Sequence, residues 1–460
     1  MVNTEGSETQ RLIQKNGDPA SKHDSPDYQS VSVNNSGAYD QKFPEKAEPD
    51  KPGNDRFSTT QRKLLACLSL VTLLNGSLIA VMIPFFPVEA ASRGVSQTVI
   101  SGVFSCFAIV KMMLNPLVGR LAPKIGVSRL YNIGLALAGV STLVFGVLDR
   151  IEDTQTFIFA VFAVRLIEAA GSAAISTCGF TIAGSEFGSR VTTAVAVIGS
   201  SLTAGLALTP ALWGGLYAVG GFGTPFYTLG AVMLLTSAAL TRLIPDIESA
   251  DCQQAPFVAS LLKFLGAVDN WLCLATILVF AADVTTVESA FAVYSDQVLG
   301  VPPSLVGIFF LVSTTLYALV NPLWARLSEK RPSPFPQMAG CLIASSVGII
   351  FIAPAVPLPP HWLITGAGMI FEELFIGGAF TPCFKAMLDA SVASGLEDSV
   401  ATKAFVSSLF HATFSLGIAV GPVSGGAVID RYGFAAMTAG IGAMTALLGV
   451  VMAVRVLVKR

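Results

Sequence analysis

The chain has few charged side chains for its length. Asp, Glu, Lys and Arg make up 13% of its 460 residues, against about 25% in soluble domains. Hydrophobic residues make up 53%, so most of the chain has no water to face. The formal net charge is only −2, which gives no sign of a nucleic-acid partner. The composition therefore indicates a protein embedded in a lipid bilayer.

Sequence patterns for nucleotide and metal chemistry are also missing. No Gly-Lys dipeptide occurs, which excludes a Walker A loop for ATP phosphates. The seven cysteines include no Cys-x-x-Cys pair, which argues against a metal site or a disulfide framework. We therefore expect no cofactor and no enzymatic activity, and any uphill transport would draw on an ion gradient.

Residues 1–60 differ from everything that follows. They are rich in Ser, Asn, Asp, Lys and Pro and lack a periodic apolar pattern, which predicts a disordered tail. The segment is not a signal peptide, which would begin with a basic stretch and an apolar run.

Two short strings in this tail resemble sorting signals. One is an acidic dileucine pattern at Glu8, Leu12 and Ile13, and the other is a Tyr-x-x-apolar pattern at Tyr28 and Val31. Such patterns are read by sorting adaptors. Together they favour an endosomal, lysosomal or secretory-vesicle membrane over the plasma membrane. The alternative is a chance match in a polar tail.

From Leu64 onward the chain is a series of apolar runs. Each has roughly the 20 residues that cross a ~30 Å hydrocarbon core. Runs of this length must be helical, because lipid satisfies no backbone hydrogen bond. The predicted spans are 64–87, 97–119, 128–148, 157–183, 191–219, 225–244, 270–294, 304–326, 337–357, 362–388, 402–427 and 433–457. The fold class is thus an all-α membrane protein with twelve transmembrane helices.

Basic residues concentrate in alternate loops. On one side lie Arg120, Lys124, Arg129, Arg190, Arg242, Lys263, Arg326, Lys330, Arg331, Lys459 and Arg460. The opposite loops are short and carry Glu152, Asp153 and Asp296. Because positive charge stays on the cytosolic side, both termini are predicted to be cytosolic.

An internal repeat divides the chain. Residues 94–124 align without gaps on 300–330 at an offset of 206, with cores NPLVGRLAPK and NPLWARLSEK. TPALWG (209–214) also matches GPVSGG (421–426) at an offset of 212. Two pseudo-symmetric six-helix bundles are expected, with a substrate site between them near the midplane. The predicted organisation is a cytosolic tail at 1–60, bundles at 61–244 and 264–460, and a cytosolic linker at 245–263.

At these motifs the chain resembles the major facilitator superfamily. Residues 119–126 stand where that family has its Gly-x-x-x-Asp-x-x-Gly loop, but Pro123 replaces the acid. This replacement is expected to weaken a charge latch in the N-terminal half, whereas the C-terminal half keeps an acid at the repeat position. The candidate gating-loop residues are Gly119, Arg120, Lys124, Glu329 and Lys330.

A second family motif lies in the eleventh span. Residues 421–426 resemble the Gly-Pro-x-x-Gly-Gly antiporter motif, whose candidate residues are Gly421, Pro422, Gly425 and Gly426. In the fifth span Thr209 and Trp213 replace two of these glycines. Since small residues let helices approach closely, Trp213 is expected to cost some of that closeness.

Within the superfamily, the nearest resemblance is to vesicular amine transporters, especially their polyamine branch. It rests on IPFFPVEA (83–90), LVFGVLDR (143–150), SEKRP (328–332) and GLEDS (395–399). Members of that family exchange lumenal protons for cytosolic organic cations. The resemblance therefore implies the major facilitator fold, with a small organic cation, protons and the lipid bilayer as partners.

Ionisable residues inside the spans are an independent signal, since each costs ~3 kcal/mol or more at a helix centre. They are Lys111, Arg165, Glu168, Asp283, Glu288, Glu372, Glu373 and His411. Five acids against two fixed cations suit a cationic substrate. They also suit proton binding, because burial disfavours an ionised carboxyl group.

Glu288 is the first candidate for cation or proton binding. It lies in span seven, where the vesicular family has an acid before a Pro-rich segment, although Ser289 replaces the proline here. The alternative is a carboxylate paired to a buried base, and we favour function. Asp283 lies about one turn away on nearly the same face, and there we favour a structural role.

Two further sets of acids have open roles. Arg165 and Glu168, three residues apart, either form an intrahelical ion pair or, as the family implies, modulate the proton-binding acid. Glu372 and Glu373 are adjacent and point about 100° apart, so only one is expected to face the cavity. The monoamine branch has its helix-ten acid nearer Thr381-Pro382, so monoamine-type recognition is disfavoured.

The remaining polar candidates each have two interpretations. His411 takes the place of a helix-eleven acid in the monoamine branch, and either relays protons or packs. Lys111 either pairs with an acid or extends toward the cytosolic end. Asn75 matches the place of a family Asp, and its amide can hydrogen-bond an amine without neutralising it. Candidate cation–π residues are Phe291, Phe371 and Phe375, although most Phe here face lipid or core.

The sequence thus predicts a proton-coupled antiporter that moves a polyamine or another amine into an acidic vesicle by alternating access. One alternative is a drug or organic-cation efflux antiporter at the plasma membrane. Another is a non-transporting sensor on the same fold, which the unusual Pro123 and Trp213 favour.

The predicted topology can be tested at the Asn34-Asn35-Ser36 sequon. With a cytosolic tail this site never meets the lumenal glycosylation machinery and stays unmodified. A mobility shift after glycosidase treatment of protein from a eukaryotic host, lost in Asn34→Gln, would contradict the topology.

Overall fold

The computed structural model describes residues 57–241, 244, 257–301, 303–354 and 359–459. Twelve helical segments within them are long and apolar enough to cross a membrane, which confirms the predicted number of spans. Several sequence candidates lie outside the described residues, namely Glu8, Leu12, Ile13, Tyr28, Val31 and the Asn34 sequon.

The described helices follow one another with short connections. They are α1 (Thr59–Ala80), α2 (Met82–Ser92), α3 (Gln97–Ile125), α4 (Val127–Phe145), α5 (Thr154–Glu186), α6 (Val191–Gly220), α7 (Gly223–Leu240), α8 (Phe257–Gly266), α9 (Val268–Gln297), α10 (Pro303–Glu329), α11 (Phe335–Ile352), α12 (Trp362–Phe380), α13 (Cys383–Ala393), α14 (Val400–Tyr432) and α15 (Phe434–Lys459).

Two spans consist of broken helices. The first comprises α1 and α2, which meet at Val81, and the tenth comprises α12 and α13, which meet at Thr381-Pro382. Proline has no N–H to continue the helical hydrogen-bond ladder. The carbonyl of Gly378, freed by Pro382, instead accepts a hydrogen bond from Gln337 Nε2 at 3.3 Å. The break therefore leaves this backbone acceptor satisfied inside the membrane.

The predicted polar linker at 245–263 is not wholly irregular. Helix α8 begins inside it at Phe257 and ends at Gly266, beyond its predicted limit. Residues 245–256 lie outside the described residues.

Corresponding helices pack in the same way in the two halves of the chain. In the N-terminal half α1 packs on α6, and in the C-terminal half α9 packs on α14. Each contact depends on a glycine. A Cβ on Gly205 would overlap the carbonyl oxygen of Leu73, and a Cβ on Gly417 would lie 2.6 Å from the Cβ of Ala281. The two glycines are repeat counterparts at the 212-residue offset.

This contact corrects the expectation for Trp213. The close approach of α1 and α6 is kept one turn before the altered motif, because Gly205 supplies it. Thr209 donates its hydroxyl to the Gly205 carbonyl at 2.6 Å. Trp213 is buried in the core of the N-terminal half, so its bulk does not separate the two helices.

The two halves touch at one end of the molecule. We call the side where α1 begins and α15 ends the terminal side, and the other the distal side. Among the described residues, the hydrogen bonds between the halves lie toward the terminal side. Ser407 Oγ donates to the Thr177 carbonyl at 2.7 Å, and Asn321 Nδ2 donates to the Ala196 carbonyl at 3.4 Å.

Buried apolar side chains divide in the same way. One cluster fills the N-terminal half and extends into the terminal part of the C-terminal half. Phe180 and Phe384 meet there across the halves with ring centroids 5.1 Å apart. A second cluster around Phe291 and Phe434 has only members from the C-terminal half among the described residues. The space between the halves is therefore closed on the terminal side and open on the distal side.

Glu329 carries a polar latch at the closed end. Its carboxylate accepts from the Thr193 backbone N–H at 2.6 Å and from the Thr193 hydroxyl at 2.7 Å. Helix α6 has no side-chain cap of its own at Arg190, so this acid from the other half satisfies its first turn and its dipole.

The corresponding latch on α14 needs no acid. Ser399 caps α14 by accepting from the Thr402 N–H at 3.2 Å. Gly119 lets α3 approach α14, since a Cβ there would lie 2.5 Å from the Ser408 Cβ. Pro123 therefore stands where the missing carboxylate has no unsatisfied helix end to serve.

We predict that Glu329→Gln loosens the closed end. The substitution keeps the size of the side chain but removes a negative charge from the N-terminus of α6, which contributes about 0.3–2 kcal/mol. Ser200 Oγ donates to the Ala318 carbonyl across the same contact at 3.2 Å. In a cysteine-free background, Ser200→Cys should therefore react faster with a maleimide. The control is the exposed neighbour variant Lys330→Gln, and equal rates in all three proteins would contradict the latch.

Candidate substrate and proton site

Four carboxyl groups lie together in the C-terminal half. Glu288 on α9 and Glu372 and Glu373 on α12 line one small pocket, which Phe310 and Thr314 of α10 complete. Asp283, on α9, lies beside Glu372. The sequence placed these acids on three-dimensionally unrelated spans, and helix packing brings them together.

The four groups differ in burial. Asp283 has no exposed surface, Glu372 is buried, and Glu288 is exposed. Neither carboxylate oxygen of Asp283 accepts a hydrogen bond of ordinary geometry from the described residues. The deep end of the site is therefore dry, and its entrance is open.

These carboxyl groups have no basic partner. None of them forms an ion pair with a described Lys or Arg. A buried carboxylate is stable only when it is protonated or joined by a cation. The pocket can therefore hold protons or a cationic ligand. The alternative reading of Glu288 as half of a structural ion pair finds no support in the described residues.

The expectation that only one of the adjacent glutamates faces the cavity is wrong for this pocket. Glu372 and Glu373 both line it. Their 100° separation around the helix does not divide them, because α12 packs against both α9 and α10. The two flanks of α12 thus reach the same space between those helices.

The wall on α10 was missed by sequence reasoning. Phe310 and Thr314 line the pocket, and Tyr317 lies within electrostatic reach of Glu373. Their spacing along an apolar helix is the only sequence signal for this wall.

The three phenylalanines expected as cation–π residues do not line the pocket. Phe291 is fully buried and packs on Phe309 and Phe310. Phe371 is exposed at the α11–α12 surface, and Phe375 packs beside it at a centroid distance of 4.9 Å.

Arg165 and Glu168 form the intrahelical ion pair that their spacing suggested. Arg165 Nη1 lies 2.8 Å from Glu168 Oε2, and both side chains are 2% exposed. The Arg165 guanidinium also stacks over the Phe107 ring at 4.2 Å. The pair is thus neutralised within the N-terminal half, and a modulating role in proton coupling stays a prediction.

Lys111 and His411 face each other where α3 packs on α14. Both are buried. His411 Nδ1 lies 2.9 Å from the Ser407 carbonyl, and its ring packs edge-on against Phe180 at 4.5 Å. These contacts fit a packing histidine. The acid expected beside Lys111 is absent from the described residues, and its burial excludes an extended ammonium at the terminal surface.

The antiporter motif holds α14 against the acidic helix α9. A Cβ on Gly421 would lie 2.6 Å from the Ala282 carbonyl, and one on Gly425 would overlap Thr286. Thr286 is two residues from Glu288. Gly426 faces open space, and Pro422 lies within the helix.

The other predicted residues lie outside the pocket. Asn75 is buried on α1, and its Oδ1 has no hydrogen-bond partner among the described residues. Lys124 and Lys330 are exposed at the terminal side. Arg120 stacks over the Phe257 ring of α8 at 3.8 Å.

Comparison with known proteins supports this architecture. Residues 66–396 match the family model described as Major Facilitator Superfamily. The chain belongs to this superfamily. It is therefore a multi-pass membrane transporter and not an enzyme, as the sequence predicted.

Its relatives confirm the predicted likeness to vesicular amine transporters. The chain is 28% identical to the "MFS-type transporter SLC18B1" of Rattus norvegicus, over 89% of this chain and 91% of the relative. The human protein of that name is 29% identical over 82% of each chain. The "Vesicular acetylcholine transporter" of Mus musculus is 23% identical, over 82% of this chain and 68% of the relative.

Solved structures confirm the fold. The human organic anion transporter MFSD10 superposes with a TM-score of 0.69 at 16% identity, over 86% of this chain and all 100% of the other. The Escherichia coli fucose:proton symporter FucP superposes with a TM-score of 0.68 at 13% identity, over 85% and 97%. At these identities the likeness concerns the major facilitator fold alone.

The motif glycines supply a matched pair of variants. Gly421→Ala places a methyl group against the Ala282 backbone, so we expect destabilisation by about 1–3 kcal/mol. Gly426→Ala adds the same group to open space and should be nearly neutral. Thermal unfolding in detergent measures both, and an equal loss in the two variants would contradict the assigned packing.

Proposed function

We propose that this transporter is a proton-coupled antiporter that moves an organic cation, a polyamine or another amine, into an acidic vesicle by alternating access. The observation that carries the proposal is the acidic pocket, defined here as Asp283, Glu288, Glu372 and Glu373, which has no basic partner among the described residues. Its charge selects against anions.

The number of carboxyl groups favours a substrate with more than one positive charge. Each ammonium group neutralises one carboxylate, and a monoamine would leave the others uncompensated in a poorly hydrated site. A polyamine supplies several charges along one flexible chain. Protons can take the same places, so proton and amine binding compete for one set of groups.

Competition of this kind is enough for exchange. When the pocket opens to an acidic compartment, protons join the carboxylates and the amine leaves. When it opens to the cytosol, the protons leave and an amine binds again. Rocking of the two bundles provides the alternation, and the distal-open form described above corresponds to the releasing state.

The orientation is supported by charge. Lys and Arg concentrate at the terminal ends of the described helices, for instance Arg326, Lys403, Arg455 and Lys459. Under the positive-inside rule this side is cytosolic. The distal opening would then face the lumen of a vesicle, in keeping with the word "vesicular" in the names of several relatives.

The alternative of a non-transporting sensor loses its support. Pro123 and Trp213 favoured it because each departs from a motif of the family. In the structure α3 still packs on α14 and α1 still packs on α6. Neither departure interrupts a contact on which bundle movement depends. The plasma-membrane efflux antiporter differs in location, and imaging of the full chain distinguishes it.

We expect Glu288→Gln to lower uptake of labelled spermidine into acidified proteoliposomes by at least about tenfold, the equivalent of ~1.4 kcal/mol. Glutamine keeps the shape but cannot exchange a proton or neutralise an ammonium group. A protonophore should reduce wild-type uptake to the same level. The control is Asp389→Asn, which removes an exposed carboxylate paired with Lys385 on the terminal side.

Uptake that survives either Glu288→Gln or collapse of the pH gradient would contradict the mechanism. Comparison of spermidine with a monoamine of similar size tests the substrate class. Equal competition by the two amines would contradict the preference for a polycation.

A further inference from the structure

Helix α8 has no part in the exchange described above. Its ten residues are too short to span a membrane. One face is anchored, because Phe264 is fully buried, whereas Val258 and Leu262 on another face are 63% and 66% exposed. Two large apolar side chains one turn apart form a stripe, and an exposed stripe of this kind marks a contact surface.

The anchored face of α8 bridges the two halves. Phe257 receives the Arg120 guanidinium of α3 at 3.8 Å from its ring centroid. Phe257 and Phe264 both pack edge-on against Phe405 of α14, at 5.5 and 5.8 Å. The helix therefore lies over the α3–α14 contact at the closed terminal end, and it gives Arg120 a partner that the gating-loop motif alone does not explain.

The exposed stripe continues onto a membrane helix. Val268 and Trp271 in the first turn of α9 are 53% and 54% exposed. Trp271 Nε1 donates to the Leu265 carbonyl of α8 at 2.8 Å. Because α9 spans the membrane, its first turn lies at the membrane–water boundary, where tryptophan is enriched. This hydrogen bond holds the end of α8 at the same depth.

The polar flank of α8 points away from that stripe. Lys263 donates its ammonium to the Gly395 carbonyl at 3.0 Å, which ties the helix to the connection after α13. The helix thus has one edge tied to the protein by polar groups and one edge of bare apolar side chains beside a boundary tryptophan. This is the arrangement of an interfacial amphipathic helix.

We propose that α8 lies in the boundary between lipid headgroups and acyl chains on the terminal side, with Val258 and Leu262 inserted into lipid, and that this insertion stabilises the closed α3–α14 contact. The occupant of the stripe is the bilayer itself, since the stripe is continuous with the lipid-facing surface of α9. Lipid contact and gate closure are linked because the same ten residues make both.

Spin-label accessibility in liposomes tests the location. Single cysteines replace Val258, Leu262 and Lys263 in a cysteine-free background, with Leu235→Cys as the lipid-facing reference and Glu397→Cys as the aqueous one. Labels at 258 and 262 should collide with oxygen as at 235, and the label at 263 with a nickel chelate as at 397. Chelate access at 258 and 262 equal to that at 397 overturns the proposal. Protection from both reagents also overturns it, because a second copy of the chain would then cover the stripe.

Labelling of the gate tests the coupling. Ser408→Cys is buried beside Gly119 at the α3–α14 contact. In liposomes the double variant Val258→Ser/Leu262→Ser should raise its maleimide reaction rate about threefold to tenfold, because a weaker anchor loosens the gate. Leu235→Ser, which removes an exposed leucine elsewhere, is the control. The difference should vanish in detergent, and an unchanged rate in liposomes would refute the coupling.

Discussion

Four carboxyl groups in one poorly hydrated pocket repel one another unless protons or cations join them. Asp283 and Glu372 are buried, and no described basic side chain offsets them. Folding into a membrane with such a group is tolerable only if the pocket binds something positive. The site, the direction of opening and the choice of ligand all follow from this unbalanced charge.

The two halves share an architecture but not a chemistry. The repeat gives both halves the same crossings, with Gly205 and Gly417 in equivalent places. In the N-terminal half, however, the buried charges are an internally neutral Arg165–Glu168 pair and the cationic Lys111. The acids lie in the C-terminal half. Alternating access needs the symmetry of the helices, whereas ligand selection needs the asymmetry of the side chains.

Closure of the terminal side combines direct bonds with a helix-end interaction. Glu329 completes α6 because that helix lacks its own cap, while α14 is capped by Ser399. The substitution at Pro123 is therefore tolerated in one half, and the acid is kept in the other. A motif that looks damaged in the sequence is a consequence of how each partner helix begins.

The sequence by itself determined the class, the number of spans, the repeat and the identities of the buried acids. Each of these follows from local rules, since lipid forces apolar runs into helices and makes an intramembrane charge costly. Only the tertiary structure decided that Glu372 and Glu373 share a pocket with Glu288, that Phe310 and Thr314 form its wall, and that Lys111 meets His411. Those outcomes depend on which faces of distant helices meet, and periodicity along one helix carries no information about its neighbour.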